Sequence, residues 1–337
     1  MSRPYTVVGA GAIGGTLAAH LYRAGHPVQV ADADAGHVAA IRDGGLRLRH
    51  PDGTTTVATL PAGTPDDPPA GELGPVLLAV KAQTTGAALD WIAPRLPSDG
   101  WVVSLQNGLN EERIAARIGA DRTVGAFVNL FADVAEPGVI TDGGRGALVI
   151  GETDGRPSDR VQRLVADLQC WGPAASTTNV TGHLWSKLAF GAMLTATALA
   201  DAPMAELIDR HRGVMHALAR EVLAVASAHG VRPEPFDAWD PAPFLPGATG
   251  AEAATDRLTA WLAAMPKDRS GIWRDIAVRR RPVEVHDHYG PVLACAGRNG
   301  VAVPVLNGVL ARLAEVESGR VPMSEEHLAV LGREGVA

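Results

Sequence analysis

Three groups of residues in this chain have types and spacing that could do chemistry. The first is Gly9, Gly11 and Gly14, in G-x-G-x-x-G order, with Asp32 about twenty residues on. Gly9 allows a tight turn, Gly11 lets the backbone approach a pyrophosphate, and Gly14 lets a helix pack closely on a strand. The start of the helix that follows offers that anion unpaired N–H groups and a positive dipole end, with Ala12 and Ile13 among the candidates that line it. Asp32 can accept hydrogen bonds from the adenosine ribose hydroxyls. Its carboxylate repels a 2′-phosphate, and Ala33, Asp34, Ala35 and Gly36 bring no cation, so NAD(H) is favoured over NADP(H). Arg42 is a nearby cation that could fold back to reverse that preference.

The second group centres on Lys187, in an otherwise apolar helical stretch where a solvated surface lysine is out of pattern. Facing a cleft, it can hydrogen-bond a carbonyl and surrender its proton as the alcohol forms. Partial desolvation would lower its pKa toward the working range. The alternative is a lysine snorkelling at a helix start. The third group is Glu284, His286, Asp287 and His288. Two histidines at i,i+2 point to different sides of a helix, unlike the i,i+4 pair of a zinc site, so no metal is expected. A titrating His286 beside Glu284, as an acid–base group or substrate contact, fits better.

These residues need elements to position them. Apolar runs at 5–8 and 28–31 read as buried strands, with a helix over 16–23 between them. Further strands are expected at 75–81, 101–105 and 123–130, with helices at 35–43, 84–96 and 110–118. Hairpins are expected at 46–48 against 54–59 and within 138–151. Residues 61–75 read as a loop. Strands interleaved with helices give an α/β fold, an N-terminal Rossmann-type doubly wound parallel sheet with ligands at the strands' carboxyl ends. Lys81 and Asn107 lie at such ends. From about Gly182 only helices are read, at 184–200, 211–229, 251–265, 270–280, 283–298 and 305–317. This gives a dinucleotide-binding domain over 1–180 and an all-α substrate and catalytic domain over 181–325. The Pro-, Phe- and Trp-dense stretch 233–250 reads as a loop over the surface or a cleft, and the last residues as frayed.

The 337 residues suffice for two domains, and 46% hydrophobic with 20% charged residues is the balance of a globular protein. A net charge of −7 argues against nucleic acid, and Arg279-Arg280-Arg281 is too short a basic run to reverse that. No apolar run spans a bilayer, no signal peptide precedes the first strand, and Cys170 and Cys295 read as buried free thiols. A cytoplasmic protein acting on a small molecule is expected.

In order and spacing the motifs resemble the ketopantoate reductase family over nearly the full length. They are GAGAIGG at 9–15, AVKA around Lys81, SLQNGL at 104–109, EPGVI with GRGALVIGE, LWSKLAF around Lys187, SGIWRDI from Ser270, RPVEV carrying Glu284, and RNGVAVPVLNGV at 298–309. The resemblance implies Lys187 as general acid, with Glu284 pairing with it or holding a water. It implies Asn107 between nicotinamide and substrate, Lys81 close to the cofactor, and Ser270 on the substrate carboxylate. Ser270 could equally be an N-cap, with Asp268 its rival for that job. Members associate through the helical domain, so a homodimer is implied.

The departures concern substrate. Lys187, Gly191 and Thr195 are spaced by four and line one helix face. The family usually has asparagines at the latter two, binding the pantoate hydroxyl and its neighbours; Gly191 leaves room for a bulkier substrate or backbone approach. His286 and Tyr289 replace groups the family uses around its acid. The expected enzyme is an NAD(P)-dependent oxidoreductase interconverting a 2-keto acid and 2-hydroxy acid, or a related carbonyl and alcohol, other than ketopantoate. An opine- or imine-type reductase and a non-catalytic dinucleotide sensor are the alternatives.

Overall fold

A computed structural model describes residues 3–144, 146–265 and 267–334. The chain divides into two compact units, Met1–Val180 and Thr181–Ala337. It is an α/β protein with a Rossmann-type sheet followed by an all-α unit.

The first unit contains strands β1 (Tyr5–Val8), β2 (Val28–Ala31), β3 (Leu46–Arg49), β4 (Thr55–Ala58), β5 (Ala62–Gly63), β6 (Val76–Leu78), β7 (Val102–Ser104), β8 (Thr123–Val128), β9 (Ala132–Glu136), β10 (Val139–Asp142), β11 (Leu148–Glu152) and β12 (Ala174–Ser176). Its helices are α1 (Ala12–Arg23), α2 (Ala35–Gly44), α3 (Thr85–Ile92), α4 (Glu111–Ile118) and α5 (Asp159–Leu168). One sheet has the order β12-β11-β8-β7-β6-β1-β2-β5, parallel from β5 to β8. The central strands are apolar on both faces because helices cover both sides, as all-parallel sheets require. Strand order reverses between β1 and β6, and ligands of open α/β sheets bind at such a point.

A second sheet, β4-β3-β10-β9, packs against α1. The β3–β4 hairpin is the one expected from the sequence. The run 138–151 is not a hairpin; its residue Arg145 lies outside the described residues. Its strands enter different sheets, β10 joining β3 and β9, and β11 joining β8 and β12. The Gly143 N–H turns back to the Phe131 carbonyl, which closes β10 onto β9. Both α5 and β12 are additions to the expected elements. Ser158 Oγ caps α5 by accepting from Val161 N, and Val161, Leu164 and Leu168 form its buried stripe. Cys170, expected buried, is half-buried.

The second unit comprises α6 (Val180–Thr197), α7 (Met204–Arg210), α8 (Arg212–Ala228), α9 (Ala251–Ala263), α10 (Gly271–Arg274), α11 (Val285–Asn299), α12 (Pro304–Glu317) and α13 (Glu326–Glu334). Helix α8 is its axis, packing on α7, α9, α11, α12 and α13. From it the Glu221 carboxylate accepts from the N–H groups of Val305 and Leu306, satisfying two orphan donors of α12 behind Pro304. The expected helix over 270–280 is α10 running into a π-helical turn, Asp275–Arg279. Residues 326–334, expected to fray, form α13, with Leu328 and Leu331 buried; residues 335–337 lie outside the described ones.

The stretch 233–250 is largely irregular, as read from the sequence, but its aromatic side chains turn inward. Phe236, Trp239 and Phe244 are buried, Trp239 stacks on Phe190 and Phe244, and its Nε1–H donates to the buried Ser186 Oγ at 3.0 Å. It is an aromatic strap packed into the helical core.

Candidate active site

The glycine turn joins β1 to α1 with little freedom. Gly9 has φ 92°, and a Cβ there would meet the Ala79–Val80 backbone at 2.8 Å, so the turn rests on the end of β6. A Cβ on Gly14 would lie 2.0 Å from the Gly9 carbonyl and 2.8 Å from Val7 Cγ1. Gly11 differs: its Cβ would meet nothing within 4 Å. It is the N-cap of α1, which has no side-chain cap and no acid in its first turn. Open space, uncapped N–H groups and a positive dipole end suit a pyrophosphate, so the residues present fit a dinucleotide.

Asp32 follows β2, as that fit requires. Its Oδ2 accepts from Ala10 N at 2.7 Å and its Oδ1 from Asp34 N at 2.9 Å, tying the end of β2 to the glycine turn. Arg42, the cation that could have folded back, points elsewhere. Its Nε donates to the Ala62 carbonyl at 2.8 Å and its guanidinium pairs with Asp67 at 2.8 Å. His37 also braces the turn: its Nε2–H donates to the Ala10 carbonyl and its Nδ1 accepts from Gly138 N, both at 3.0 Å.

Lys81 and Asn107 follow β6 and β7, and both are exposed. Gln106, which the sequence reading passed over, links their loops. Its Nε2 donates to the Val80 carbonyl at 2.9 Å and to Thr85 Oγ1 at 2.7 Å, beside the two candidates. At the start of α4, burial pushes the Glu111 pKa up to about 7, so near neutrality it is about half protonated.

In the helical unit, Lys187 lies on α6, only partly exposed among buried Trp185, Ser186, Leu188 and Ala189. Burial draws its pKa down to about 8, against a smaller opposing effect of Asp237 on the strap. Four residues on, Gly191 is not the vacancy the sequence suggests. The Tyr289 hydroxyl lies 3.1 Å from where its Cβ would be and donates to the Leu188 carbonyl at 2.9 Å. Tyr289 therefore packs on α6, buried. Thr195 is buried too, its hydroxyl donating to the Gly191 carbonyl at 2.8 Å.

Glu284 is the N-cap residue of α11. The imidazole facing it is that of His288, one turn on with Nε2 3.7 Å from Oε2; His286, expected there, is exposed. Ser270 is buried and caps α10, its Oγ accepting from Trp273 N, while Asp268 pairs with Arg269. Among the described residues no three His, Cys, Asp or Glu side chains cluster as a metal site, and no helix is long and apolar enough to cross a membrane.

Comparison with known proteins agrees with both halves. Residues 5–155 match the family described as ketopantoate reductase PanE/ApbA, and residues 179–317 its C-terminal region. A 2-dehydropantoate 2-reductase of Mesorhizobium japonicum is 32% identical over 67% of this chain and 77% of its own. The chain belongs to the ketopantoate reductase family. As a member of the ketopantoate reductase family it is an NAD(P)-dependent oxidoreductase acting on a CH–OH group or its carbonyl. The 2-dehydropantoate 2-reductase of Halobacterium salinarum is 28% identical over 92% of this chain and 98% of its own. The crystal structure of a PanE/ApbA family ketopantoate reductase from Ralstonia eutropha JMP134 aligns with a TM-score of 0.77 at 26% identity, over 94% of this chain and 99% of that one.

Asp237 beside Lys187, Tyr289 against Leu188 and Gly191, and His288 against Glu284 are the neighbours that sequence spacing left out or misassigned. Only His288 carried a usable signal, its i,i+4 distance from Glu284. Tyr289 and Asp237 reach α6 from more than forty positions away, beyond any local pattern.

Proposed function

We propose that the enzyme moves a hydride between NAD(H) and the carbonyl carbon of a 2-keto acid, interconverting it with the 2-hydroxy acid, and that Lys187 is the general acid–base. The observation that carries this reading is a desolvated lysine on an apolar helix face, with a pKa of about 8. At pH 7 its ammonium can donate to the oxygen on which negative charge develops; above pH 8 its amine can take that proton back from the alcohol. The nicotinamide, when bound, supplies or accepts the hydride. Gly9, Gly11, Gly14 and the start of α1 (Ala12, Ile13) hold the pyrophosphate, and Asp32 receives the ribose hydroxyls. Lys81 and Asn107, their loops joined by Gln106, orient the nicotinamide end. Glu284, with His288 against it, orients the substrate or a water.

Asp32 and the engaged Arg42 support NAD(H) over NADP(H). The face beyond Lys187 supports a substrate other than ketopantoate. At Gly191 there is no side chain, and at Thr195 the hydroxyl is already given to a backbone carbonyl. A substrate hydroxyl would lose water there with little in exchange.

The test is a kinetic comparison of NADH and NADPH oxidation with ketopantoate and with 2-oxo acids lacking its hydroxyl. A kcat/KM higher for NADH and for the unhydroxylated acids is expected. Equal or better turnover of ketopantoate sinks the substrate reading. Full activity of Lys187→Met sinks the mechanism.

A further inference from the structure

The aromatic strap lies along α6 with one contact per turn. Glu234 N donates to the Gly182 carbonyl at 3.3 Å, Trp239 Nε1 donates to Ser186 Oγ at 3.0 Å, and Phe236 and Trp239 both meet the Phe190 ring. Gly182, Ser186 and Phe190 are spaced by four, so a single helix face receives all three anchors. Phe236 and Trp239 exchange both backbone hydrogen bonds, at 3.0 and 2.8 Å, and so close a tight turn. Its first inner residue is Asp237, exposed between two buried aromatics and held at φ 47°. Glycine, asparagine and aspartate adopt that left-handed conformation more readily than most residues. A carboxylate kept there, on a turn anchored at Ser186 and Phe190, stands over the part of α6 from which Lys187 projects.

We propose that Asp237 is a positioning residue whose carboxylate holds and orients the Lys187 ammonium. The strap makes this a fixed arrangement, since the turn cannot swing away without unstacking Trp239 and breaking its bond to Ser186. The electrostatics agree in sign: Asp237 favours the charged lysine while burial opposes it. The other groups around Lys187 do not duplicate this role. His183, one turn earlier on α6, faces Glu234 of the strap. Tyr289, reaching α6 from α11, is a buried phenol whose proton is given to Leu188.

The inference rests on Lys187 being the proton donor, and the test separates the two claims. The chain has three lysines, Lys81, Lys187 and Lys267, so isotope-labelled lysine side chains can be titrated one by one by NMR. Asp237→Asn and Asp237→Gly both suit the turn while removing the charge, and Ala238→Gly alters the turn while keeping it. In the two Asp237 variants the Lys187 midpoint should fall by about half a pH unit or more. The alkaline limb of kcat/KM for carbonyl reduction should move down with it. Lys81, Lys267 and NADH affinity should not change, and Ala238→Gly should behave as the parent. An unmoved Lys187 midpoint in both Asp237 variants overturns the proposal, whatever Lys187→Met does. A lowered midpoint with Lys187→Met still active leaves the pairing standing and removes its catalytic meaning.

Discussion

In the proposed function the turn after β1 and the face of α6 each hold a reactant, and they are built from opposite materials. The turn works through backbone: N–H groups, a dipole and three glycines whose missing side chains are the design. The α6 face works through side chains that arrive from elsewhere in the sequence, the strap for Asp237 and α11 for Tyr289. A backbone site is specified by spacing within about twenty-five residues. A side-chain site is specified by packing, and its chemistry depends on which group each partner has already committed.

The strongest way to break the comparison is a pair of substitutions, one in each region. Lys187→Met should lower kcat by about 10²–10⁴-fold while leaving NADH affinity intact. Gly11→Ala should weaken NADH binding severely with thermal stability nearly unchanged, because its methyl enters space open in the protein itself. Gly14→Ala should fail to fold stably, since a backbone carbonyl 2.0 Å away cannot step aside. Calorimetry and fluorescence titration of NADH separate these outcomes; unaltered NADH affinity in folded Gly11→Ala would refute the backbone account.

Lys187→Met should also gain stability at neutral pH. The unfolded lysine stays protonated up to 10.5, the folded one only to about 8, so the parent protein becomes more stable as pH rises between those values. The methionine variant should lose that slope and be more stable near pH 7 by about 1–3 kcal/mol in urea melts. An unchanged pH–stability curve would mean that Lys187 is not desolvated.

Glu111 offers the mirror case in the first unit. Its carboxyl is accommodated protonated up to about pH 7, whereas the unfolded one ionises above 4.5. Stability should therefore fall as pH rises through that window and level off above it. Glu111→Gln should remove the slope and stabilise at pH 8 by up to about 3 kcal/mol, with no gain at pH 4. A pH-independent effect of Glu111→Gln would show that the carboxyl is not desolvated.

A smaller effect sharpens the α6 side. Gly191→Ala normally favours a helix by about 1 kcal/mol, but here the new methyl meets the Tyr289 hydroxyl at 3.1 Å. The gain should appear only in a Tyr289→Phe background, with a coupling of about 0.5–2 kcal/mol in a double-mutant cycle. Additive effects would mean the two positions do not share that space.

What the sequence disclosed follows the same division. The glycine turn, Asp32 and the parallel strands were readable because their causes are local. The run 138–151 was misread because alternation marks a strand without saying which strand it joins, and the Gly143 turn sends β10 and β11 to different sheets. The strap was read correctly as irregular, but Pro, Phe and Trp lack periodicity, so nothing in its composition showed that its aromatic rings stack into the core. Gly191 looked like a vacancy because a missing side chain is visible in sequence, while the phenol that fills the space is not.

His37 shows how far the turn's influence extends. Its ring donates through one nitrogen and accepts through the other, so it must be the neutral tautomer with hydrogen on Nε2. The imidazole is thus a rigid polar strut from Ala10, in the glycine turn, to Gly138, at the rim of the smaller sheet. If the glycine turn grips the dinucleotide as proposed, disturbing that rim should weaken the grip without any residue there being touched.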